Sequence, residues 1–279
     1  MSPARPSVTD KRRAFQRLHE SGCFLLPNPW DLGSARYLQS LGFKALATTS
    51  AGFAWSQALP DNGVSREAML QHLASMVEAT DIPINADFEG GFATDSAGVA
   101  ESVRLAVGTG VAGLSIEDSS GDPQNPLLDL GTAVDRMRAA RRAIDHAGGD
   151  TLLIGRSEGF IAGRPDLEAT IDRLKAYANA GADCLYAPGL RSREHIAAVV
   201  ASLAPKPVNL LVGWASDLTL SAIAALGVRR VSVGGALARA AWGGLIRAAK
   251  TLADHGTFGG FADNAASADL DQFFASESK

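Results

Sequence analysis

Eight short apolar runs, each followed by a segment with helical spacing, restrict what this chain can fold into more than any other feature. In the first half they are Cys23–Leu26, Ala45–Thr48, Ile82–Ala86 and Ala112–Ile116; in the second, Leu152–Gly155, Cys184–Ala187, Val208–Val212 and Arg230–Val233. Between them apolar residues recur every three or four positions, as at Leu167, Ile171, Leu174 and Ala178, which is the period of one helix face. Strand then helix, eight times over, predicts an α/β fold, the (β/α)8 or TIM barrel. Glycines in Leu41-Gly42-Phe43, Thr109-Gly110-Val111, Ala180-Gly181-Ala182 and Leu226-Gly227-Val228 stand between a helix and the next strand, where a C-terminal cap favours left-handed backbone.

No internal Pro-, Gly- or Ser-rich linker divides the 279 residues, so a single barrel domain is expected over 1–279. A helix is predicted from about Gly235 to His255, and the sequence changes character after it. The tail, 256–279, carries Phe258, Phe261, Phe273 and Phe274, which are costly to leave in water and point to packing on the barrel or on a partner subunit. The 26 basic and 30 acidic residues give a net charge of -4 without a dense Lys/Arg stripe, which argues against a nucleic-acid partner. Apolar stretches such as Val111–Ile116 and Pro207–Val212 fall far short of the roughly 20 residues that cross a bilayer. Two cysteines make no disulfide framework, and Met1–Arg13 lacks the apolar core of a leader. The expected location is the cytoplasm.

Acids mark the predicted strand ends. Pro83-Ile84-Asn85-Ala86-Asp87-Phe88-Glu89-Gly90-Gly91-Phe92 begins as a strand and runs into a glycine-rich loop, and the next strand closes on Ile116-Glu117-Asp118. In extended backbone Asp87 and Glu89 share one side. Barrel strands converge at their C-terminal ends, so Asp61, Asp87, Glu89 and Glu117 can share one divalent cation. Mg²⁺ takes oxygen ligands and usually only one or two protein carboxylates, which suits Asp87 as direct ligand with Glu89, Glu117 and Asp61 holding its waters. A lone acid after a strand is ordinarily a helix N-cap or a solvated loop residue, and Asp118 fits that description. Arg156, at the end of the fifth strand, offers a fork for a carboxylate or phosphonate, or else a structural ion pair with Glu158 or Glu117. Thr48-Thr49-Ser50-Ala51-Gly52 could turn backbone N–H groups toward an anion.

Taken together, Gly42-Phe43, Thr49-Ser50-Ala51-Gly52, Leu59-Pro60-Asp61, Asp87-Phe88-Glu89-Gly90-Gly91-Phe92, Ile116-Glu117-Asp118, Gly155-Arg156-Ser157-Glu158 and Ala180-Gly181-Ala182-Asp183 resemble the isocitrate lyase and phosphoenolpyruvate mutase superfamily over roughly residues 20–250. The resemblance implies a barrel whose last helix is exchanged between subunits, in dimers that pair into a homotetramer, with Mg²⁺, or Mn²⁺ in its place, binding a small 2-oxo acid. It implies Asp87 as metal ligand and Glu89 and Glu117 as outer acids, with Asp61 on a closing loop, Phe53–Arg66. It further implies Ser50 and Ala51 amides under the substrate carboxylate, Trp30 and Asp31 beside the pocket, and Arg156 on the substrate's distal group.

The sequence also departs from that pattern. The isocitrate and methylisocitrate lyases carry a Lys-Lys/Arg-Cys-Gly-His loop whose cysteine donates a proton; here the stretch is Ser119-Ser120-Gly121-Asp122-Pro123-Gln124-Asn125-Pro126. Those two cleavages are disfavoured. Asn125 falls where the phosphonomutase branch places an asparagine on the transferring group, although Asn is also a common turn residue. After the sixth strand, Tyr186-Ala187-Pro188-Gly189 matches neither the Pro-Glu of the lyases nor the histidine of the mutases, and Gly189 leaves room for a bulkier substrate or for a residue from elsewhere. The leading expectation is a Mg²⁺-dependent enzyme that breaks a C–C bond by way of an enolpyruvate-type intermediate, of oxaloacetate decarboxylase or substituted-malate lyase type. The alternatives are C–P chemistry, as a phosphonomutase or phosphonopyruvate hydrolase, and a non-catalytic metal-binding barrel.

Overall fold

The computed structural model of the protein describes residues 5–277. Its strands are β1 (Phe24–Leu26), β2 (Leu46–Ala47), β3 (Ile84–Asp87), β4 (Gly113–Glu117), β5 (Leu152–Arg156), β6 (Cys184–Tyr186), β7 (Val208–Leu211) and β8 (Arg230–Ser232). The helices are α1 (Val8–Glu20), α2 (Leu32–Ser40), α3 (Ser50–Ser56), α4 (Arg66–Ala79), α5 (Ser96–Gly108), α6 (Leu130–His146), α7 (Leu167–Asn179), α8 (Arg193–Leu203), α9 (Leu220–Ala225), α10 (Ala236–His255) and α11 (Ser267–Glu277). Each predicted strand overlaps an observed one. All seven ladders are parallel, in the order β1-β8-β7-β6-β5-β4-β3-β2. The seam between β1 and β2 is closed by the Ala47 N–H donating to the Pro27 carbonyl at 3.1 Å and by Asn28 Nδ2 donating to Thr48 O at 2.9 Å.

The chain divides into two compact units, the first ending at Gly235 and the second running from Ala236. The first holds all eight strands. Because side chains alternate across a strand, Leu46, Ile84, Leu114, Ile116, Leu153, Leu185, Leu210 and Val231 point outward and form one core with the surrounding helices. The inward set is smaller and partly polar. At the N-terminal end of the barrel, Phe15 of α1 joins Leu26, Ala45, Ala47 and Ala112. A Cβ on Gly113 would stand 2.7 Å from both the Phe15 ring and Asn85 Oδ1, so this inward position of β4 has to be glycine for α1 to plug the barrel. The second unit contains α10, a single 3-10 turn at Gly259–Phe261 packed on α10, and α11. Trp242, Leu245, Ile246 and Phe258 are exposed. No helix among the described residues is long and apolar enough to cross a membrane.

Asp118 overturns its sequence expectation. It is neither a cap nor solvated but 2 % exposed. Its Oδ1 accepts from the Glu158 N–H at 2.8 Å, and its Oδ2 accepts from Tyr177 Oη at 2.5 Å and Arg173 Nη1 at 3.2 Å. One carboxylate thus ties the segments after β4 and β5 to α7, and burial together with Asp118 raises the Tyr177 hydroxyl far above its usual range. Asp118→Ala would strand a guanidinium, a phenol and an amide, and is expected to cost about 3 kcal/mol or more in urea unfolding; a loss under about 1 kcal/mol would refute the pin.

The α1 plug supplies a second test. His19 Nδ1 donates to Phe15 O at 2.8 Å, leaving Nε2 to accept from Arg230 Nη1 at 3.4 Å. Burial, then the Arg230 charge, push the imidazole down to about 3. On acidification the unfolded chain takes up a proton that the folded one refuses, so stability is lost as pH falls through the ordinary histidine range. From about pH 7.5 to about pH 5 the wild type should lose about 2 kcal/mol more than His19→Gln. Equal losses would contradict a neutral His19.

Candidate active site

The parity that turns leucines outward aims a line of polar residues inward. Asn85 and Asp87 of β3, Ser115 and Glu117 of β4, Arg156 of β5, Tyr186 of β6, Asn209 of β7, and Arg230 and Ser232 of β8 all lie on the inward register. All of them except Glu117 line a cavity of about 190 Å³ that runs from the C-terminal mouth of the barrel, at Ser50, Asp61, Asp87 and Arg156, down to Arg230. TIM-barrel interiors are usually filled with branched aliphatic side chains, and their active sites lie at the mouth. Here the polar lining reaches the floor as well.

At the mouth one guanidinium faces several carboxylates. Arg156 Nη1 lies 3.1 Å from Asp87 Oδ1 and 3.1 Å from Glu117 Oε2, and Nε lies 2.5 Å from Glu158 Oε1. The Arg156 plane also sits over the Tyr186 ring, 5.3 Å from its centroid. Nη2 makes no hydrogen bond to the described protein and is left for a ligand. Asp87 Oδ2 accepts from the Ser50 N–H at 3.0 Å and the Ser50 hydroxyl at 2.9 Å, and Thr48 Oγ1 accepts from the Asp87 N–H at 2.9 Å, which fixes the carboxylate against β2.

A single arginine cannot balance Asp61, Asp87, Glu89, Glu117 and Glu158. Burial, with the charges of Asp87 and Asp61, pushes Glu89 up to about 7, against the lesser pull of Arg156. Glu117 is raised by burial, which outweighs Arg156 and is reinforced by Glu158, Asp87 and Glu89. Glu158 is raised too, chiefly by burial against Arg156. Asp61 remains accessible to solvent, yet partial desolvation and the Asp87 charge raise it as well. Protons prefer to stay on such a cluster because burial disfavours the charged carboxylates and one guanidinium does not offset that together with their mutual repulsion.

The expectation that Asp87 and Glu89 share one side of an extended segment is overturned. β3 ends at Asp87, and Glu89 takes φ 48° in a turn closed by the Gly91 N–H donating to Phe88 O at 2.9 Å. Arg136 holds that turn by donating to the Gly90 and Ala93 carbonyls. Left-handed backbone at a non-glycine residue is uncommon and recurs at functional sites. It leaves Glu89 Oε1 buried with no partner. Gly189 is likewise not a space for substrate: it has φ 93°, and a Cβ there would meet Phe160 and Ile161 at 2.9 Å.

Ser50, Ala51, Asp61, Asp87 and Arg156 thus converge on the cavity, with Glu117 joined to it through Arg156. Three further candidates stand elsewhere. Trp30 and Asp31 border a separate depression with Phe53 and His72, and Asp31 caps α2 by accepting from the Ser34 N–H at 2.7 Å. Asn125 is exposed on its loop, where Nδ2 donates to Asp122 Oδ2 at 3.2 Å. Sequence reasoning did not single out Asn85, Asn209, Arg230 or Ser232 as site residues. The available signal was parity: each is a polar residue inside an apolar run, and Asn85 precedes Asp87 by two.

The donor set fits a divalent cation held mostly through water. Among the described residues no three His, Cys, Asp or Glu side chains close to direct-ligand spacing. Mg²⁺ does not require three, since one or two carboxylates suffice. The unpartnered Glu89 oxygen and the raised carboxyls are the marks of a site short of positive charge.

Known proteins share this architecture. A 45 % identical structure, a provisional lyase/mutase from Burkholderia cenocepacia J2315, superposes with a TM-score of 0.93 over 96 % of this chain and 98 % of its own. Oxaloacetate acetylhydrolase in complex with its product oxalate, 27 % identical, gives 0.85 over 97 % and 95 %. An oxaloacetate decarboxylase of Chromohalobacter salexigens is 31 % identical over 82 % of this chain and 80 % of its own. The family described as phosphoenolpyruvate phosphomutase matches residues 15–253, from the α1 plug into α10. The chain therefore belongs to that family and is an enzyme of the isocitrate lyase/PEP mutase superfamily, whose members here are lyases and phosphonomutases.

Proposed function

We propose that the protein is a Mg²⁺-dependent lyase that breaks a C–C bond in a small 2-oxo acid or substituted malate by way of an enolpyruvate-type intermediate. The observation that carries this reading is the mouth of the cavity, where the half-buried Asp87 of β3 and the buried Glu117 of β4 face one arginine, with no further balancing cation among the described residues. Asp87 would be the direct ligand, with Glu89, Glu117 and Asp61 holding metal-bound water; Mn²⁺ could serve in place of Mg²⁺. Bound there, the ion supplies a Lewis acid that stabilises the oxygen charge developing as the bond breaks.

The chain's own groups do the rest. Ser50 fixes the Asp87 carboxylate with two hydrogen bonds. That occupies its amide, so the Ala51 N–H, which carries no hydrogen bond, is the one left to receive a substrate carboxylate. Arg156 keeps Nη2 for the distal acidic group while Glu158 and Asp87 hold its plane. Asp61 borders the opening on the segment between α3 and α4, placed to exclude water if that segment closes. The similarity to oxaloacetate decarboxylase, oxaloacetate acetylhydrolase and 2,3-dimethylmalate lyase supports a four-carbon diacid skeleton. The C–P reading leaned on Asn125, which bonds within its own loop, so C–C cleavage is the reading retained.

The free thiols of Cys23 and Cys184 agree with a cytoplasmic location. Exposed Trp242, Leu245 and Ile246 on α10 agree with exchange of that helix between subunits in a dimer of dimers. Light scattering should then give about four times the mass of one chain; a monomer at micromolar concentration would rule the exchange out.

Incubation with oxaloacetate, 2,3-dimethylmalate and phosphonopyruvate, with pyruvate followed through a coupled dehydrogenase, tests the reaction. Pyruvate should form above the enzyme-free rate from one of the first two, and EDTA should stop it. Asp87→Ala should lower kcat about 10³-fold or more, and Arg156→Lys should raise KM about 10-fold because a point charge replaces the fork. No metal-dependent turnover of any of them would defeat the reading, and turnover of phosphonopyruvate alone would transfer it to C–P chemistry.

A further inference from the structure

We propose that the floor of the barrel is a binding site for a small monovalent anion, a halide or a planar oxyanion of formate size, with Arg230 as its anchor. The inference does not depend on the reading of the reaction. Arg230 is 2 % exposed yet borders the cavity. Every protein group that meets its guanidinium is uncharged. Nε donates to Asn209 Oδ1 at 2.9 Å, and Nη1 is shared between Asn85 Oδ1 at 3.3 Å and His19 Nε2 at 3.4 Å. Nη2 has no hydrogen bond to the described protein.

No carboxylate offsets this charge. Asp87, Glu117 and Glu158 are engaged by Arg156, and no ion pair among the described residues includes Arg230. The ionisable neighbours whose charges would favour the guanidinium are Cys184 and Tyr186, and burial holds both in their neutral forms. His19 is kept neutral as well. Buried charges in proteins are paired, because an ion taken out of water without a counter-charge is strongly destabilised. Nothing in the barrel pairs with this one.

The surrounding donors and acceptors select the sign of the ligand. The acceptors nearest the guanidinium, Asn85 Oδ1, Asn209 Oδ1 and His19 Nε2, already take its hydrogens. Asn209 Nδ2 donates to Ser232 Oγ at 3.0 Å, which leaves the Ser232 hydroxyl hydrogen free to point into the cavity. What remains toward the open space is Nη2 and that O–H, two donors with a net positive charge. The Phe15 plug below and Leu211 beside it restrict the ligand to a few atoms. A free ion and one carboxylate of a larger ligand share this chemistry.

Full-length protein in metal-free gluconate buffer would be titrated with chloride, nitrate or formate, following Tm and the excess linewidth of the chloride-35 resonance. The wild type should show saturable, Arg230-dependent chloride broadening and a Tm higher by about 3 °C or more at saturation. Arg230→Met should remove both. Should that variant fail to fold, Asn209→Asp, which sets a carboxylate beside Nε, supplies an internal counter-ion and should abolish the chloride response in a folded protein. Displacement of chloride by oxalate would identify the natural occupant as a ligand carboxylate, and absence of displacement would identify a free ion; both support the site. Broadening that persists unchanged in the variants, or no saturable response to any of the three anions, means that the floor holds only water and overturns the assignment.

Discussion

The Arg156 guanidinium is the interaction on which the mouth of the barrel depends. The β3–β4 and β4–β5 registers set Asp87 beside Ser115 and Glu117 beside Arg156, and neighbouring strands lie only about 4.8 Å apart. Carboxylates converging at that spacing would repel one another out of position. Arg156 meets three of them with Nε and Nη1 and rests its plane on Tyr186. A lysine could supply the charge but not the two-sided fork. The same compactness limits it: one guanidinium satisfies Asp87 and Glu158 by hydrogen bonds and leaves Glu89 and Asp61 without a partner cation.

How the acids come to share that height follows from the loops as much as from the strands. Glu89 reaches its half-buried position because the chain turns left-handed there instead of running on, and Arg136 grips the turn from α6. Asp118, next to Glu117, faces the other way and locks β4, the Glu158 segment and α7 together. Two adjacent acids thus divide the work: Glu117 faces the cavity charge, while Asp118 fixes the frame that carries Glu158.

The barrel was legible because its signal is local. Each strand announces itself by an apolar outward face, and each helix by its stripe. The acids at the ends of β3 and β4 and Arg156 at the end of β5 were legible from the same parity. What escaped depends on partners distant in sequence or on backbone that side-chain identity does not reveal. Asp118 meets Tyr177 and Arg173, 59 and 55 residues further along, so nothing local separates it from a helix cap. A left-handed glutamate is not predictable from its type, since glycine stood next to it as the natural turn residue. Asn125, Trp30 and Asp31 lay at plausible points along the chain, but turn chemistry and helix capping occupy Asn125 and Asp31, and Trp30 faces another depression.

The interior also keeps its opposite charges apart. Arg230 enters at the start of β8 and Asp87 stands at the end of β3, with Asn85 between them two residues below Asp87. Asn85 Oδ1 already lies 3.3 Å from Arg230 Nη1, so an aspartate of the same length at position 85 would pair with Arg230. The sequence places an amide there, and another at Asn209, so the lower guanidinium is hydrogen-bonded without being neutralised. Pairing the floor with the mouth would stabilise the empty barrel and fill it. Separation leaves an excess of negative charge at the mouth, where a cation is proposed, and an excess of positive charge at the floor, where an anion is proposed, at a cost in stability that bound ligands would offset. With both proposals in place, the polar interior would hold two binding levels stacked along one barrel axis.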